Sequence, residues 1–322
     1  MLAAAVGKML RGLDLANIEG RLQAWFVGEQ WKLDAFRAYD EKRGPDLYCV
    51  AYGSAFGEDP VAVKKQNAKR QIGKVMELAL GYQGSVGSFI NMGKNYGLKP
   101  GDLVPVIMQV APDKFSSWCD RYKGARDKHG LPMEEWAAIK VIVSGWRDAH
   151  SGIVESWYEI QDAAVQAVAN PNTPVFAMGG KVAYLSARNF LWCRLPSGRV
   201  LAYANPYLKT VHEQWIILHD GHRVDREDVD AATWQIYVDA GLQVHDRYRR
   251  QVNYEGWDGE RKRWTVFALY GGMQFNHIVQ GTARDVLVGG MLRAELMGYT
   301  IVLTVHDEVL TEDDIGFGSV RE

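Results

Sequence analysis

The sequence predicts a mixed α+β fold, and three observations carry that reading. In residues 100–175, Trp118, Tyr122, Trp136, Ile139, Val143, Trp146, Trp157 and Ile160 recur at spacings of three and four, the period of one helix face. Residues 299–310 read YTIVLTVHDEVL, an aliphatic run that turns at a polar triplet and comes back apolar, as a β-hairpin does. The 322 residues are 47% hydrophobic and 24% charged, enough for a sizeable core in two subdomains.

Composition narrows the function classes. A net charge of -2 gives no global basic signature, so any nucleic-acid site must gather its cations locally. Cys49, Cys119 and Cys193 lie far apart without metal-ligand spacing, as expected of reduced thiols in a cytosolic compartment. No apolar run reaches the ~18 residues of a membrane span. The apolar start is short and Lys8 and Arg11 interrupt it, which argues against a signal peptide.

In chain order, a strand is expected to end near Asp14, followed by a turn and one helix from about Ile18, with Leu22, Trp25, Phe26 and Leu33 as its apolar stripe. Asp14 then stands at a sheet edge, although a lone aspartate there is more often a turn or N-cap residue. Gly57-Glu58-Asp59-Pro60 reads as a loop. Beyond it, Lys64, Lys65, Lys69, Arg70 and Lys74 form the densest basic cluster in the chain. Arg70, Lys74, Leu78 and Tyr82 share one slowly drifting helical face. Arg70 and Lys74 repel one turn apart, and an anion such as a triphosphate would reverse that sign. A solvated basic face with Glu77 pairing Lys74 is the plainer alternative.

The tryptophan-bearing stretch is expected to be core. Pro171 to Pro174 breaks it, and residues 195–199 turn a hairpin between Phe190-Leu191-Trp192 and Val200-Leu201-Ala202-Tyr203. Residues 212–259 read as a polar, irregular surface insertion. Residues 264–297 read as helix, interrupted at Gly271-Gly272, with Asn276, Gln280 and Arg284 stacked on one face and Ile278, Ala283, Val286 and Leu287 on the other. Gly298 ends it. The last hairpin is unusual at its tip. His306-Asp307 replaces the Asn-Gly or Asp-Gly a two-residue turn prefers, and Asp307 and Glu308 repel at the end of an apolar strand expected to be buried. A divalent cation would relieve both problems, and so would a fully solvated turn.

Taken together these stretches resemble the family A DNA polymerases, of DNA polymerase I type, particularly those of phages and prophages. DLANIEGR at 14–21 is similar to the first polymerase motif, Arg70, Lys74 and Tyr82 to the basic fingers helix, QGTARD at 280–285 to the helix before the last motif, and VHDE at 305–308 to that motif. The resemblance implies an α+β architecture: palm strand and helix at 1–40, helical fingers at 41–180, and at 181–322 the rest of the palm, with a long helix, a small antiparallel sheet and the acidic hairpin. The family's thumb, first palm strands and proofreading exonuclease are expected to lie outside this sequence. The implied activity is template-directed DNA synthesis, a magnesium-dependent nucleotidyltransferase working on primer-template DNA and dNTPs in the cytoplasm of a bacterial host.

The resemblance also implies roles. Asp14 and Asp307 would hold two Mg²⁺ ions with the Leu15 carbonyl, and Glu308 would be an accessory carboxylate. Arg70 and Lys74 would grip the triphosphate, and Lys74 would protonate the leaving pyrophosphate. Leu78 and Tyr82 would lie against the nucleotide, and Glu19 would exclude ribose. Asn276 and Gln280 would meet minor-groove acceptors, with Arg284 and His306 also on the DNA. Three positions depart from the family: Leu78 replaces an aromatic, Tyr48 a phosphate-contacting histidine, and Gln83 a glycine. The isolated chain is expected to extend primers poorly and to need a second polypeptide supplying a thumb. A non-catalytic DNA-binding remnant is the alternative.

Overall fold

The computed structural model describes residues 3–122, 129–219, 223–226 and 229–318. Strand β1 (Lys8–Asp14) leads into α1 (Ile18–Val27) and α2 (Gln30–Asp40). The single helix expected from Ile18 is therefore two. Gly28 takes φ 72° and its N–H bonds the Ala24 carbonyl, the left-handed C-cap that glycine accommodates without a Cβ clash.

The helical body follows: α3 (Leu47–Phe56), α4 (Pro60–Lys64), α5 (Asn67–Leu80), α6 (Val86–Asn95), α7 (Pro100–Val110), α8 (Pro112–Tyr122), α9 (Met133–Ala149) and α10 (Ser151–Ala169). Local chemistry sets these boundaries. Asp46 caps α3 by accepting from Tyr48 and Cys49 N–H, and Asp59 caps α4 with Pro60 in its first turn. Helix α9 runs through the centre, and Trp136, Trp146 and Trp157 are buried as the spacing predicts.

The remaining segments form β2 (Val175–Ala177), β3 (Val182–Ala187), β4 (Phe190–Arg194), β5 (Val200–Ile217), β6 (Arg223–Asp225), α11 (Ala231–Asp239), β7 (Val244–Asp258), β8 (Arg263–Ala268), α12 (Gly271–Leu296), β9 (Ile301–Val305) and β10 (Glu308–Asp314). Among the described residues two antiparallel sheets result, one of three strands in the order β1-β10-β9 and one of seven through β2 to β8. The β4–β5 hairpin appears where expected.

Two expectations fail in this half. The described residues of 212–259 are not irregular: β5 and β7 pair in continuous register from Tyr207↔Asn253 to Ile216↔Val244, and residues 220–222 and 227–228 lie outside the described residues. Their polar residues mislead because each strand exposes one or both faces. Residues 264–268 are strand rather than helix, Trp264 pairing Trp257 and Phe267 pairing Tyr254. The helical period starts only at Gly271.

Candidate functional site

The first and last strands build one sheet edge. Asp14 pairs Glu308 in the β1–β10 ladder, and Leu15 N–H donates to the Asp307 carbonyl at 3.2 Å. The turn between β9 and β10 is His306-Asp307, as the sequence suggested, and His306 accommodates it by taking φ 54°. A left-handed residue with a Cβ costs about 1 kcal/mol or more, so the turn is held by the paired strands on either side. Asp14 does not cap α1. Asn17 does, at φ 53° with its side chain accepting from Gly20 N–H. The Asp14 carboxylate is exposed and that of Asp307 half-buried. Among the described residues neither takes a hydrogen bond or ion pair.

Strand β9 itself is not buried: Val302, Leu303 and Val305 are exposed. It is an edge strand, so the carboxylates stand in a wetter setting than the sequence implied. Among the described residues no group of three or more His, Cys, Asp or Glu converges on a metal-sized point. The available donors are the unpaired carboxylates of Asp14, at the end of β1, and Asp307, in the turn whose carbonyl accepts from Leu15 N–H, with the Leu15 carbonyl, which already accepts from Ile18 N–H, next in the chain. That set fits Mg²⁺, which takes oxygen ligands, uses one or two carboxylates and completes its shell with water and substrate phosphate rather than a protein cage.

A cleft of about 710 Å³ opens beside this edge. Asn17, Glu19, Tyr48, Leu78, Tyr82, Asn276, Gln280, Arg284, His306 and Asp307 are among its lining residues. Residues far apart in sequence thus meet in one place. The Tyr82 hydroxyl donates to Glu19 Oε2 at 2.5 Å, and Gln280 Nε2 donates to Glu19 Oε1 at 3.4 Å. Burial first, and then the Glu19 carboxylate, pushes the Tyr82 hydroxyl far above its ordinary range, so it stays protonated as the donor. Glu19 is fixed from two sides. Asn276 and Gln280 are therefore cleft residues rather than an ordinary solvated face.

Gln83, where the resemblance implied a glycine, takes φ 64°, the region glycine favours. Its side chain compensates by accepting from Gly272 N–H at 3.0 Å. A Cβ on Gly272 would meet the Tyr82 carbonyl at 2.3 Å, so α12 can start against Tyr82 only because a glycine stands there.

Helix α5 divides its two faces sharply. Ile72, Val75, Met76, Glu77 and Leu80 point inward, while Arg70, Lys74 and Leu78 are half-buried on the outer side. Glu77 does not pair Lys74. It is buried, 2.7 Å from the Lys32 ammonium and 3.2 Å from His150 Nε2, and it accepts from Trp146 Nε1 at 2.9 Å. Burial alone would push its carboxyl up, but Lys32 and His150 overcome that and hold it well below the usual carboxylate range.

On the outer side, Arg70 Nε donates to Asp46 at 2.8 Å, an attachment the sequence reading missed. Lys69 is neutralised by Glu58, both carboxylate oxygens lying at 2.7 Å.

No family model matches the chain. The chain is 30% identical over 301 residues to a protein described as a DNA polymerase of Bacillus phage SP02. The match covers 93% of this chain and 34% of that relative, so the chain spans about a third of the length of the curated relative it matches.

Proposed function

We propose that this chain forms the fingers and palm core of a family A-type DNA polymerase, joining a dNTP to a primer 3′ hydroxyl on a DNA template. The observation that carries the reading is the cleft itself: Glu19, Leu78, Tyr82, Gln280 and Asp307, from four separate segments, line one space, and Tyr82 and Gln280 both hold Glu19. Similarity to a phage DNA polymerase along nearly the whole chain supports it.

In this reading Asp14 and Asp307 bind Mg²⁺, with Leu15 contributing its carbonyl and Glu308 flanking them. Mg²⁺ held there would supply the positive charge that an attacking hydroxyl and a leaving oxygen both need. Arg70 and Lys74 bind the triphosphate, Arg70 through a forked guanidinium and Lys74 as a point charge. Lys74 Nζ gives a proton to the departing pyrophosphate. Glu19, immobilised by Tyr82, leaves no room for a ribose 2′ hydroxyl. Asn276 and Gln280 donate to the minor-groove acceptors that all correct pairs share, and Arg284 and His306 bind the nucleic-acid strands. Leu78 and Tyr82 form the apolar wall against the base pair.

The test is single-nucleotide insertion on a primer-template with Mg²⁺. Insertion should fall by about 10³-fold or more in Asp14→Asn and Asp307→Asn, as expected when a ligand of a charge-stabilising centre is lost, with folding stability nearly unchanged. Insertion that persists in both variants would refute the reading.

A further inference from the structure

Among the three cations of α5, Lys69 and Arg70 also lie over rings, those of Tyr52 and Tyr48, but each of them has a carboxylate partner as well. Lys69 is paired with Glu58 and Arg70 with Asp46. Among the described residues no carboxylate lies within ion-pair distance of Lys74. Its ammonium instead sits 4.2 Å from the centroid of the Tyr96 ring and 5.8 Å from that of Tyr48.

Both rings arrive there for identifiable reasons. Tyr96 is the C-cap residue of α6, with φ -112°, and its side chain reaches back across the neighbouring α5. Tyr48 is in the first turn of α3. It comes close because α5 crosses α3 at Gly73, where a Cβ would meet the Tyr48 carbonyl at 2.0 Å. A bulkier residue at 73 would push the Tyr48 ring away from Lys74.

The chemistry of the two restraints differs. A carboxylate fixes an ammonium by cancelling its charge, and an incoming anion must then compete with it. An aromatic face attracts the ammonium through its quadrupole and carries no net charge. Tyr96 therefore restricts where Lys74 lies while leaving its full positive charge for a ligand. The aromatic hold also offsets part of the rotamer entropy a lysine gives up on binding.

We infer that Tyr96, with Tyr48 behind it, is a positioning residue that presents an uncompensated Lys74 to the triphosphate of the incoming nucleotide. Lys74 stands beside the cleft rather than in its lining, in contact with Tyr48, which does line it, and the inference rests on the reading of that cleft as the nucleotide site. Tyr96 acts through Lys74, and the ring rather than the hydroxyl is the working part.

Three variants test it: Tyr96→Phe, Tyr96→Leu and Lys74→Ala, each assayed in the full chain for Mg²⁺-dependent affinity toward a dNTP and toward the matching deoxynucleoside monophosphate. Tyr96 is partly exposed at a helix end, so Leu is tolerated by the fold, and thermal melting checks this. Tyr96→Leu should weaken the dNTP about two- to five-fold, the range of an exposed cation–π contact, and leave the monophosphate unchanged. Tyr96→Phe should restore wild-type affinity. Equal loss toward both ligands, or no loss in Tyr96→Leu while Lys74→Ala weakens the dNTP, would overturn the positioning role alone. A Lys74→Ala variant that binds the dNTP as tightly as wild type would overturn the cleft reading and this inference with it.

Discussion

Helix α9 and strand β9 are both apolar in sequence, and their fates are opposite. In α9, Ala137, Ile139, Val141, Ile142 and Trp146 are wholly buried, because other helices pack around it. In β9, Val302 and Val305 remain 46% and 48% exposed. The contrast continues along α12. Its first half buries Phe275, Ile278 and Val279, while near its end Leu292 is 56% and Leu296 88% exposed. Apolar composition makes burial favourable, but a second surface must be present to supply it. At Val302, Val305, Leu292 and Leu296 that second surface is lacking among the described residues, although the end of α12 faces β1 and β10 across a cavity. The helical body has its partners within itself, and the small sheet is held chiefly by strand pairing and, among the described residues, two β1–β10 ion pairs, the buried Arg11 with Asp313 at 3.3 Å and the exposed Lys8 with Asp314 at 2.7 Å.

This comparison sets the order of expected effects. The largest belongs to Trp146→Ala. The ring stacks on His150 at 4.2 Å, lies parallel to Trp157 and donates to Glu77. Its loss should cost about 3–5 kcal/mol, measured by urea denaturation, and a cost below about 1 kcal/mol would show that the body is less tightly packed than described.

Next comes Glu77→Gln, which leaves the Lys32 ammonium buried without its counter-charge. A cost of about 3 kcal/mol is expected near neutral pH. The sign with pH follows from the depressed carboxyl. Its stabilisation is present above the unfolded value of 4.5 and is lost as pH falls below it toward the folded value. The gap between wild type and Glu77→Gln should therefore narrow as pH drops below about 4.5. Glu29, whose carboxyl burial pushes up, contributes the opposite slope, its cost growing as pH rises above the same value. A gap that stays constant with pH would mean that folding does not depress the Glu77 carboxyl, and a gap that widens toward acid would mean that it is neutral when buried.

The smallest effect is expected at the sheet edge. Val305→Thr keeps a β-branched side chain and removes only exposed apolar surface, so stability should change by no more than about 0.5 kcal/mol. A loss above about 1.5 kcal/mol would show that β9 is covered in solution, and would erase the contrast.

The same contrast explains what was legible in the sequence. The tryptophan spacing gave the core helices because a surrounded helix advertises its period. The strand ending at Asp14, the acidic hairpin and the hairpin at 195–199 were equally readable from turn residues and aliphatic runs. Strands β5 and β7 were not, since Arg247, Tyr248, Arg249 and Arg250 in succession show no alternation when both faces meet water. Lys32, Glu77 and His150 were invisible as a cluster because they meet only through tertiary packing, and local spacing pointed Glu77 at Lys74 instead. Asp14, Glu19, Tyr82, Gln280 and Asp307 were drawn together by resemblance, and no local pattern would have paired them. Tyr96 carried no signal at all, since its importance comes from where the end of α6 falls.

The ladder between β1 and β10 has a kinetic consequence. Arg11 and Asp313 are 302 positions apart, so the edge that carries Asp14 and Asp307 closes one of the longest loops the chain can make. Closing such a loop in an unstructured chain costs on the order of 5 kcal/mol in entropy, and contacts of that separation form late unless intervening structure has already shortened the path. The helical body, built from neighbours in sequence, has no such requirement. A chain folding as it is synthesised would acquire its basic helix and buried tryptophans while Asp14 still waited for a strand not yet made. Closure of the β1–β10 edge then comes after the helical body, and refolding followed by a probe on that edge should lag refolding followed by tryptophan fluorescence.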